Sequence, residues 1–224
     1  MGASGAIVVK SLREQVYDYL RNQLKLGTLT PSVYLDLNAM ADSMGVSRTP
    51  LRDALLQLEA EDFVTFVPRK GVMVNPLERT DIQEIYQLVG ALESSALLAA
   101  APRLEPTHFT LLRDLDRQSI QALETGQVEQ HYEHNLAFHD VFLEVCGNHR
   151  IRKTVHLQKQ RLYEWIRKND FNLAWEQRNV AEHEVILDLL EQGKAPEAAA
   201  YLRDTHWGFE IQAAFVEDFY FKKA

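Results

Sequence analysis

The feature that most constrains the fold is a change in the spacing of apolar residues near residue 62. Before it, apolar residues recur at intervals of three and four, the spacing of one helix face. They are Leu51, Ala54, Leu55 and Leu58. After it, DFVTFV alternates and is rich in β-forming residues, PRKG has turn chemistry, and VMV resumes the strand pattern. The sequence therefore predicts a helix followed directly by a β-hairpin.

Two more helices are predicted upstream of this pair. The first runs from Ser11 to Leu26, because Ser11 is a suitable N-cap and Glu14 follows at the spacing of a capping box. The segment TLTPSVYL is predicted as a loop. A short second helix then ends at Gly45, and Ser47 is predicted to cap the third helix.

The chain after residue 80 has a helical pattern throughout. Breaks near 102–106, 125–127, 146–148, 169–172 and 193–196 divide it into about six helices. Each has an apolar stripe, which predicts packing as a bundle. The expected fold is mainly α. Its parts are a flexible tail (1–10), a helix-turn-helix with a hairpin wing (11–75), a linker (76–79) and a six-helix all-α bundle domain (80–224).

Composition narrows the classes of function. A formal net charge of −8 argues against a general polyanion binder, so any nucleic-acid contact must be local and geometric. A single cysteine, Cys146, excludes an internal disulfide framework and a cysteine-based zinc site. The longest apolar runs are too short to cross a bilayer, so we expect no membrane span and a cytoplasmic location.

Two arginines open the third helix and indicate contact with DNA. Arg48 and Arg52 lie one turn apart on one face, where the second helix of a helix-turn-helix meets base edges in the major groove. An arginine fork can bind O6 and N7 of guanine, and Ser47 and Thr49 can donate to phosphates or bases. The hairpin tip would add a basic wing, formed by Arg69, Lys70 and Gly71. The alternative is that these residues only form a solvated surface.

The stretch LNAMADSMGVSRTPLRDALLQLEAEDFVTFVPRKGVMV resembles the winged helix-turn-helix of GntR-superfamily transcription regulators. The resemblance covers about a third of the chain. It implies base contacts from Arg48 and Arg52, with Ser47, Thr49 and the wing near Gly71 on backbone or minor groove. Many relatives have an arginine where this chain has Asn38, which implies a weaker contact there and a different operator preference.

The helical part contains residues suited to a metal. His139, His183 and His206 lie on three different predicted helices, and Asn135 precedes His139 by four residues, on the same face. Histidines from separate helices can converge in a bundle core, as they do in known metal sites. Imidazoles with open positions suit Zn, Ni or Mn. The alternative is that each histidine is an ordinary hydrogen-bonded core or surface residue.

This part of the chain resembles the FCD domain, the effector-binding domain of the FadR subfamily of GntR regulators. The phrases FHDVFLEVCGN and AEHEVILDLLEQG carry the resemblance. It implies a divalent metal held by Asn135, His139, His183 and His206. Relatives commonly have an aspartate where this chain has Asn135, whose neutral amide brings no charge and implies weaker metal binding. Alternatively, the histidines bind an anionic effector directly or form a polar network.

The same resemblance implies a small organic acid as effector. Many relatives hold its carboxylate with an arginine where this chain has Val89, so here the metal or another base must replace it. The candidate bases are Arg152, Arg161 and Arg178. The candidate pocket residues are Tyr86, Ser95 and Trp165, although core packing is an alternative for the aromatic ones. The other histidines are expected at the surface: His108, His131, His134, His149 and His156.

Three functions fit these patterns. The first is a ligand-responsive bacterial transcription regulator that binds a near-palindromic operator as a homodimer and is released by a small organic acid. Relatives act mostly as repressors. The second is a metal-dependent helical enzyme with a DNA-binding appendage, although HExxH and paired cysteines are lacking. The third is an architectural DNA-binding protein without an effector.

Overall fold

The computed structural model describes residues 10–164 and 172–221 of the chain. They form two compact units, which divide between Leu77 and Glu78. The predicted pocket residue Trp165 lies outside the described residues, as does nearly all of the predicted tail. Within the described residues, no helix has the length and apolar character needed to span a membrane.

The first unit begins with three helices. They are α1 (Leu12–Lys25), α2 (Leu37–Met44) and α3 (Arg48–Ala60). Ser11 and Glu14 form the predicted capping box of α1. Asp36 caps α2 by accepting from two backbone N–H groups, and Gly45 ends it with φ +65°, a conformation that glycine adopts without strain. These helices therefore begin and end where the local residue chemistry favours it.

The helices of the first unit pack on a small sheet. Strands β1 (Tyr34–Leu35), β2 (Val64–Val67) and β3 (Gly71–Val74) are antiparallel in the order β1-β3-β2. The β2–β3 hairpin was predicted, whereas the prediction of TLTPSVYL as a loop was wrong at β1. Tyr34 pairs with Met73 and Leu35 with Val72. Two residues are too few to show an alternation of apolar and polar residues. This strand forms because it pairs with β3, which is distant in sequence, and not because of a local preference.

Helix α3 is fixed against α1 by its apolar face and by polar contacts at its end. Leu51, Leu55 and Leu58 are buried. Glu61, just after α3, accepts from the Tyr17 hydroxyl at 2.6 Å and from Arg21 Nη1 at 3.2 Å. The opposite face of α3 is exposed, so the helix is held rigidly from one side only.

The described part of the second unit is all-helical, as predicted. Its α-helices are α4 (Arg79–Ala100), α5 (Pro106–Glu124), α6 (Val128–Val145), α7 (His149–Glu164), α8 (Leu173–Glu191), α9 (Ala195–Tyr201) and α10 (Phe209–Val216). The last predicted helix is divided into α9 and α10 by a π-helical turn, Leu202–His206. The long helices carry buried apolar stripes, which form one core.

Candidate DNA-contacting surface and metal centre

The start of α3 presents its polar side chains to solvent. Arg48, Thr49 and Arg52 are exposed, and within the described residues neither arginine has an ion-pair partner. Ser47 occupies the N-cap position, but its side chain makes no capping hydrogen bond, so the predicted cap is wrong in this respect. Its hydroxyl remains available to a phosphate or base. Asn38 on α2 is also exposed.

The hairpin tip forms a second exposed basic element. Arg69 adopts φ +64°, which is uncommon for a residue with a Cβ, and Gly71 adopts φ +111°. The turn is closed by the Lys70 N–H, which donates to the Val67 carbonyl at 3.0 Å. Both basic side chains of the tip are exposed. A tight, hydrogen-bonded turn thus carries two positive charges away from the sheet.

Three histidines meet in the core of the second unit. His139 lies on α6, His183 on α8 and His206 at the end of the π-helical turn after α9. All three are buried, and each offers a ring nitrogen within 4.8 Å of those of the other two. Their ring centroids are 5.0–5.2 Å apart. The predicted convergence of these residues is therefore present in the geometry.

Each histidine has a carboxylate at Nδ1. Glu93 Oε2 lies 2.8 Å from His139, Asp116 Oδ1 lies 2.8 Å from His183, and Glu182 Oε2 lies 3.0 Å from His206. His183 and His206 are within hydrogen-bonding geometry of their carboxylates, whereas His139 Nδ1 is close to Glu93 without that geometry. A proton on Nδ1 would leave the Nε2 lone pair for a cation. The Nε2 atoms of His139 and His183 are buried and have no hydrogen-bond partner. Unpaired imidazole nitrogens on rings that face carboxylates suit a divalent metal.

Burial keeps the ligand candidates in the form that binds metals. It lowers the pKa of both His139 and His183 well below that of a free imidazole, so the rings are neutral. Burial also raises the pKa of Asp116 to about 8, which favours its protonated form near neutral pH. A cation held by His183 would favour the ionised form, which accepts from Nδ1. Burial opposes ionisation of Glu93 as well, but His139 and Lys159 outweigh it and hold the pKa of Glu93 below its ordinary value.

Glu93 and Lys159 form a buried ion pair that the sequence analysis missed. Lys159 Nζ lies 2.6 Å from Glu93 Oε1, and the lysine is almost fully buried. Trp207 Nε1 donates to Glu93 Oε2 at 2.7 Å. Glu93 is thus held by two groups, Lys159 and Trp207, while it faces His139. The sequence did indicate that Lys159 is buried. Its helical spacing from Val155 and Leu162 places it on the apolar face of α7.

Two glycines allow this arrangement around His206. A Cβ on Gly208 would lie 2.1 Å from the Asp204 carbonyl oxygen, so only glycine fits at this position, two residues after the π-helical turn. A Cβ on Gly90 would lie 2.9 Å from the Cβ of Trp207, so α4 approaches the turn closely there. The end of the turn, with His206, is therefore held against α4.

A small cavity of about 40 Å³ adjoins the histidine cluster. Asn135 and His206 line it, and the Oδ1 of buried Asn135 has no hydrogen-bond partner. Much of the wall is aromatic and includes Tyr86, Tyr132, Tyr163, Trp175, Trp207 and Tyr220. The cavity can hold a few water molecules, and two of the predicted metal ligands, Asn135 and His206, are in its wall.

Two of the three predicted effector contacts are not at this cavity. Tyr86 lines it, as predicted. Ser95 is exposed, because its neighbour Ser94 takes the buried position on α4, and it does not line this cavity. Arg161 is buried but is not among the lining residues.

The remaining candidate bases and carboxylates also have definite places. Arg152 pairs with Asp140 at 3.4 Å, and Arg178 Nε donates to Glu182 Oε1 at 2.9 Å. Glu182 points inward, whereas Glu184 points outward to Arg113.

His131 was wrongly expected at the surface. It is fully buried, where its Nδ1 lies 2.7 Å from Ser119 Oγ and its Nε2 lies 3.1 Å from Glu176 Oε2. Glu176 also accepts from the Tyr132 hydroxyl at 2.8 Å and from Asn179 Nδ2 at 3.2 Å. Since Glu176 and Asn179 line the cavity, this buried network forms one of its walls.

Comparisons with known proteins match both units. The family described as bacterial regulatory proteins, gntR family, matches residues 12–74, and the FCD domain family matches residues 84–206. An uncharacterized HTH-type transcriptional regulator of Streptomyces ambofaciens is 31% identical over 87% of this chain and 81% of its own length. The HTH-type transcriptional repressor GlaR of Escherichia coli is 27% identical over 87% of this chain and 88% of its own length.

A solved structure supports the fold. The structure of E. coli McbR/YncC superposes with a TM-score of 0.70 and 23% identity, covering 92% of this chain and 98% of that one. The two relatives are transcription regulators, which argues against the enzyme alternative.

Proposed function

This chain belongs to the GntR family of bacterial transcription regulators and carries an FCD domain, and we propose that it is a FadR-subfamily repressor. It binds a near-palindromic operator in the cytoplasm, on the nucleoid, as a homodimer. A small organic acid bound in the FCD domain releases it. The observation that carries the effector part is the cluster of three carboxylate-backed histidines beside a cavity.

The DNA-contacting part of the proposal rests on the exposed side chains at the start of α3 and on the order of helix, turn, helix and wing along the chain. Arg48 and Arg52 project from the N-terminal turn of a helix whose other face is fixed in the core. In a helix-turn-helix this turn meets base edges, and a guanidinium can pair with guanine. Ser47, Thr49 and Asn38 would contact phosphates or bases. The wing tip, Arg69 to Gly71, would add backbone or minor-groove contacts.

The homodimer is supported by an exposed stripe on α4. Leu88, Ala91, Ser95 and Leu98 are exposed and recur at intervals of three and four. A stripe of small and apolar residues on a long helix suits isologous packing against a second copy. This would explain why Ser95 is a small residue at the surface. Two copies would present two α3 helices to two half-sites of the operator.

The metal part rests on unpaired buried atoms. His139, His183 and His206 would hold a divalent cation, and Asn135 could add an amide oxygen from the cavity wall. Imidazoles with one oxygen suit Zn, Ni or Mn. Bound there, the cation supplies a Lewis-acidic position for an effector carboxylate. The carboxylates Glu93, Asp116 and Glu182 orient the rings.

Release from DNA would follow from differential affinity. A ligand can shift the protein away from its operator-binding state only if it binds the other state more tightly. Repression, rather than activation, is supported by the relative GlaR, which is a transcriptional repressor. The histidine–carboxylate pairs join α4 to α6, α5 to α8, and α8 to the turn before α10, so a ligand at the cluster would act on groups that connect these elements.

The test combines operator binding with metal and acid. The probe is a labelled DNA fragment from upstream of the protein's own gene, and binding is followed by fluorescence anisotropy. Metal-loaded protein should lose about tenfold or more in affinity, roughly 1.4 kcal/mol, when the correct acid from a panel of lactate, glycolate, pyruvate, malate and citrate is added. Light scattering should give two chains per particle. Affinity that is insensitive to every acid would favour the architectural alternative.

A further inference from the structure

Glu176 is a carboxylate in the wall of the FCD cavity that the proposed metal site does not use. It lies on α8, is buried, and faces the same cavity as Asn135 and His206. Among the described residues that line this cavity, it is the one acidic side chain, and none is a lysine or arginine. One side of the cavity is therefore suited to an anion-binding metal, and another carries negative charge.

The hydrogen bonds of Glu176 leave room for one more donor. Its Oε2 is approached by His131 and Asn179, and its Oε1 accepts from the Tyr132 hydroxyl. A carboxylate offers about four lone-pair positions, so within the described structure Oε1 retains an open one. These three donors also fix the orientation of the carboxylate.

The rest of the wall suits a positive charge. Tyr86, Tyr163, Trp175 and Trp207 surround the cavity together with Tyr132 and Tyr220. Aromatic faces attract cations, most strongly where water is excluded. A ligand with a second carboxylate would place that group against the aromatic residues and Glu176, where the described wall offers no lysine or arginine to pair with it.

We propose that the effector is a small zwitterion whose carboxylate binds the metal beside His206 and whose ammonium group is bound by Glu176 within the aromatic wall. This inference rests on the proposed effector role of the cavity and narrows its ligand from organic acids to amino-carboxylic acids. The unpaired Oδ1 of Asn135 offers the ammonium group or a metal a further oxygen. The volume of about 40 Å³ restricts the ligand to a short chain unless the wall opens.

The test uses pairs of ligands that differ only in the charged group. β-Alanine is compared with butyrate, 4-aminobutyrate with pentanoate, and 5-aminopentanoate with hexanoate, so that a methyl group replaces the ammonium group. The protein is loaded with whichever of Zn²⁺, Ni²⁺ or Mn²⁺ raises its melting temperature most, and binding is measured by calorimetry. In at least one pair the amino member should bind about tenfold tighter or more, as a charge-assisted hydrogen bond implies.

Variants then assign this preference to Glu176. Glu176→Gln should reduce the preference to roughly threefold or less, because the neutral amide cannot pair with the charge. Glu184→Gln is the matched control, since Glu184 lies on the same helix but points outward to Arg113. The Glu184→Gln variant should keep the full wild-type preference for the amino member of each pair. Succinate should bind more weakly than butyrate to the wild-type protein.

The outcomes separate this inference from the proposed function. If the methyl members bind as tightly as the amino members, or if Glu176→Gln keeps the preference, the inference is wrong while an acid-responsive regulator remains. The inference is also wrong if lactate, glycolate, pyruvate, malate or citrate binds and none of the amino-carboxylic acids does. If the amino members bind through Glu176 but leave operator affinity unchanged, the binding site stands and the proposed effector role fails.

Discussion

The two units of this protein present their functional residues in opposite ways. In the first, the DNA-contacting candidates come from three short stretches between residues 38 and 71, are exposed, and are held by a core that they do not join. In the second, the metal candidates come from distant helices and are buried, and each depends on a carboxylate from yet another part of the chain. A local motif suffices for the first site, whereas the second exists only when the whole domain is folded.

This contrast predicts different consequences of substitution. Removing an exposed arginine deletes a contact with an outside partner and leaves the unit intact. Removing a buried histidine or its carboxylate leaves another buried polar group without its partner, which affects both ligand binding and folding. The following substitutions test the contrast, in descending order of predicted effect.

His183→Ala should have the largest effect. Removal of one of three imidazoles should lower metal affinity by roughly 100-fold or more, beyond the range seen for outer-shell changes, so that purified protein holds almost no metal. Elemental analysis and titration of the stripped protein measure this. His149→Ala, which removes an exposed histidine at the start of α7, should retain full metal content. Operator binding by metal-free His183→Ala should equal that of metal-free wild type; its loss would show a structural role.

Arg52→Ala should cost about 1–3 kcal/mol of specific binding and relax the choice of base at one operator position. Anisotropy with operator and single-base variants measures both effects. Arg117→Ala removes an exposed arginine from the second unit and is the matched control for net charge. Equal losses in the two variants would mean that charge, rather than position on α3, determines binding.

Asp116→Asn should lower metal affinity by about 10–100-fold, because the amide orients His183 less strongly than the carboxylate does. Competition with a chromogenic chelator gives the affinity. Asp114→Asn, on the same helix but exposed and paired with Arg117, should leave it unchanged. No difference between the two variants would contradict the assignment of Asp116 as an orienting group.

Lys70→Ala should have the smallest effect. Loss of one phosphate contact should weaken binding equally for operator and non-specific DNA, and should reduce the slope of log K against log salt by roughly 0.9. Salt titrations with both DNAs measure it. A loss confined to the operator would instead place Lys70 at a base.

The same contrast explains what the sequence could predict. The helices, the hairpin and the exposed arginines follow from local periodicity and turn residues, and the convergence of the three histidines follows from spacing and family resemblance. Strand β1 was missed because two residues carry no period. Glu93 and Asp116 were missed because nothing in the sequence pairs a carboxylate with a histidine on another helix.

Charged groups on apolar stripes were the overlooked signal. Glu93 and Lys159 each lie in phase with buried neighbours, and such residues are buried only when paired. His131 is a similar case, since its partners Ser119 and Glu176 come from two other helices. Ser95 shows the limit of periodicity, because one position along α4 separates the core from the surface.

The most direct test of the central claim is thermal unfolding of the metal-stripped protein, with Zn²⁺, Ni²⁺ or Mn²⁺ added back, each with and without small carboxylic and amino-carboxylic acids. A metal-centred effector site predicts that the metal raises the melting temperature and that an acid raises it further only when metal is present. An equal shift by the acid without metal, or none in the metal-loaded protein, would contradict the account.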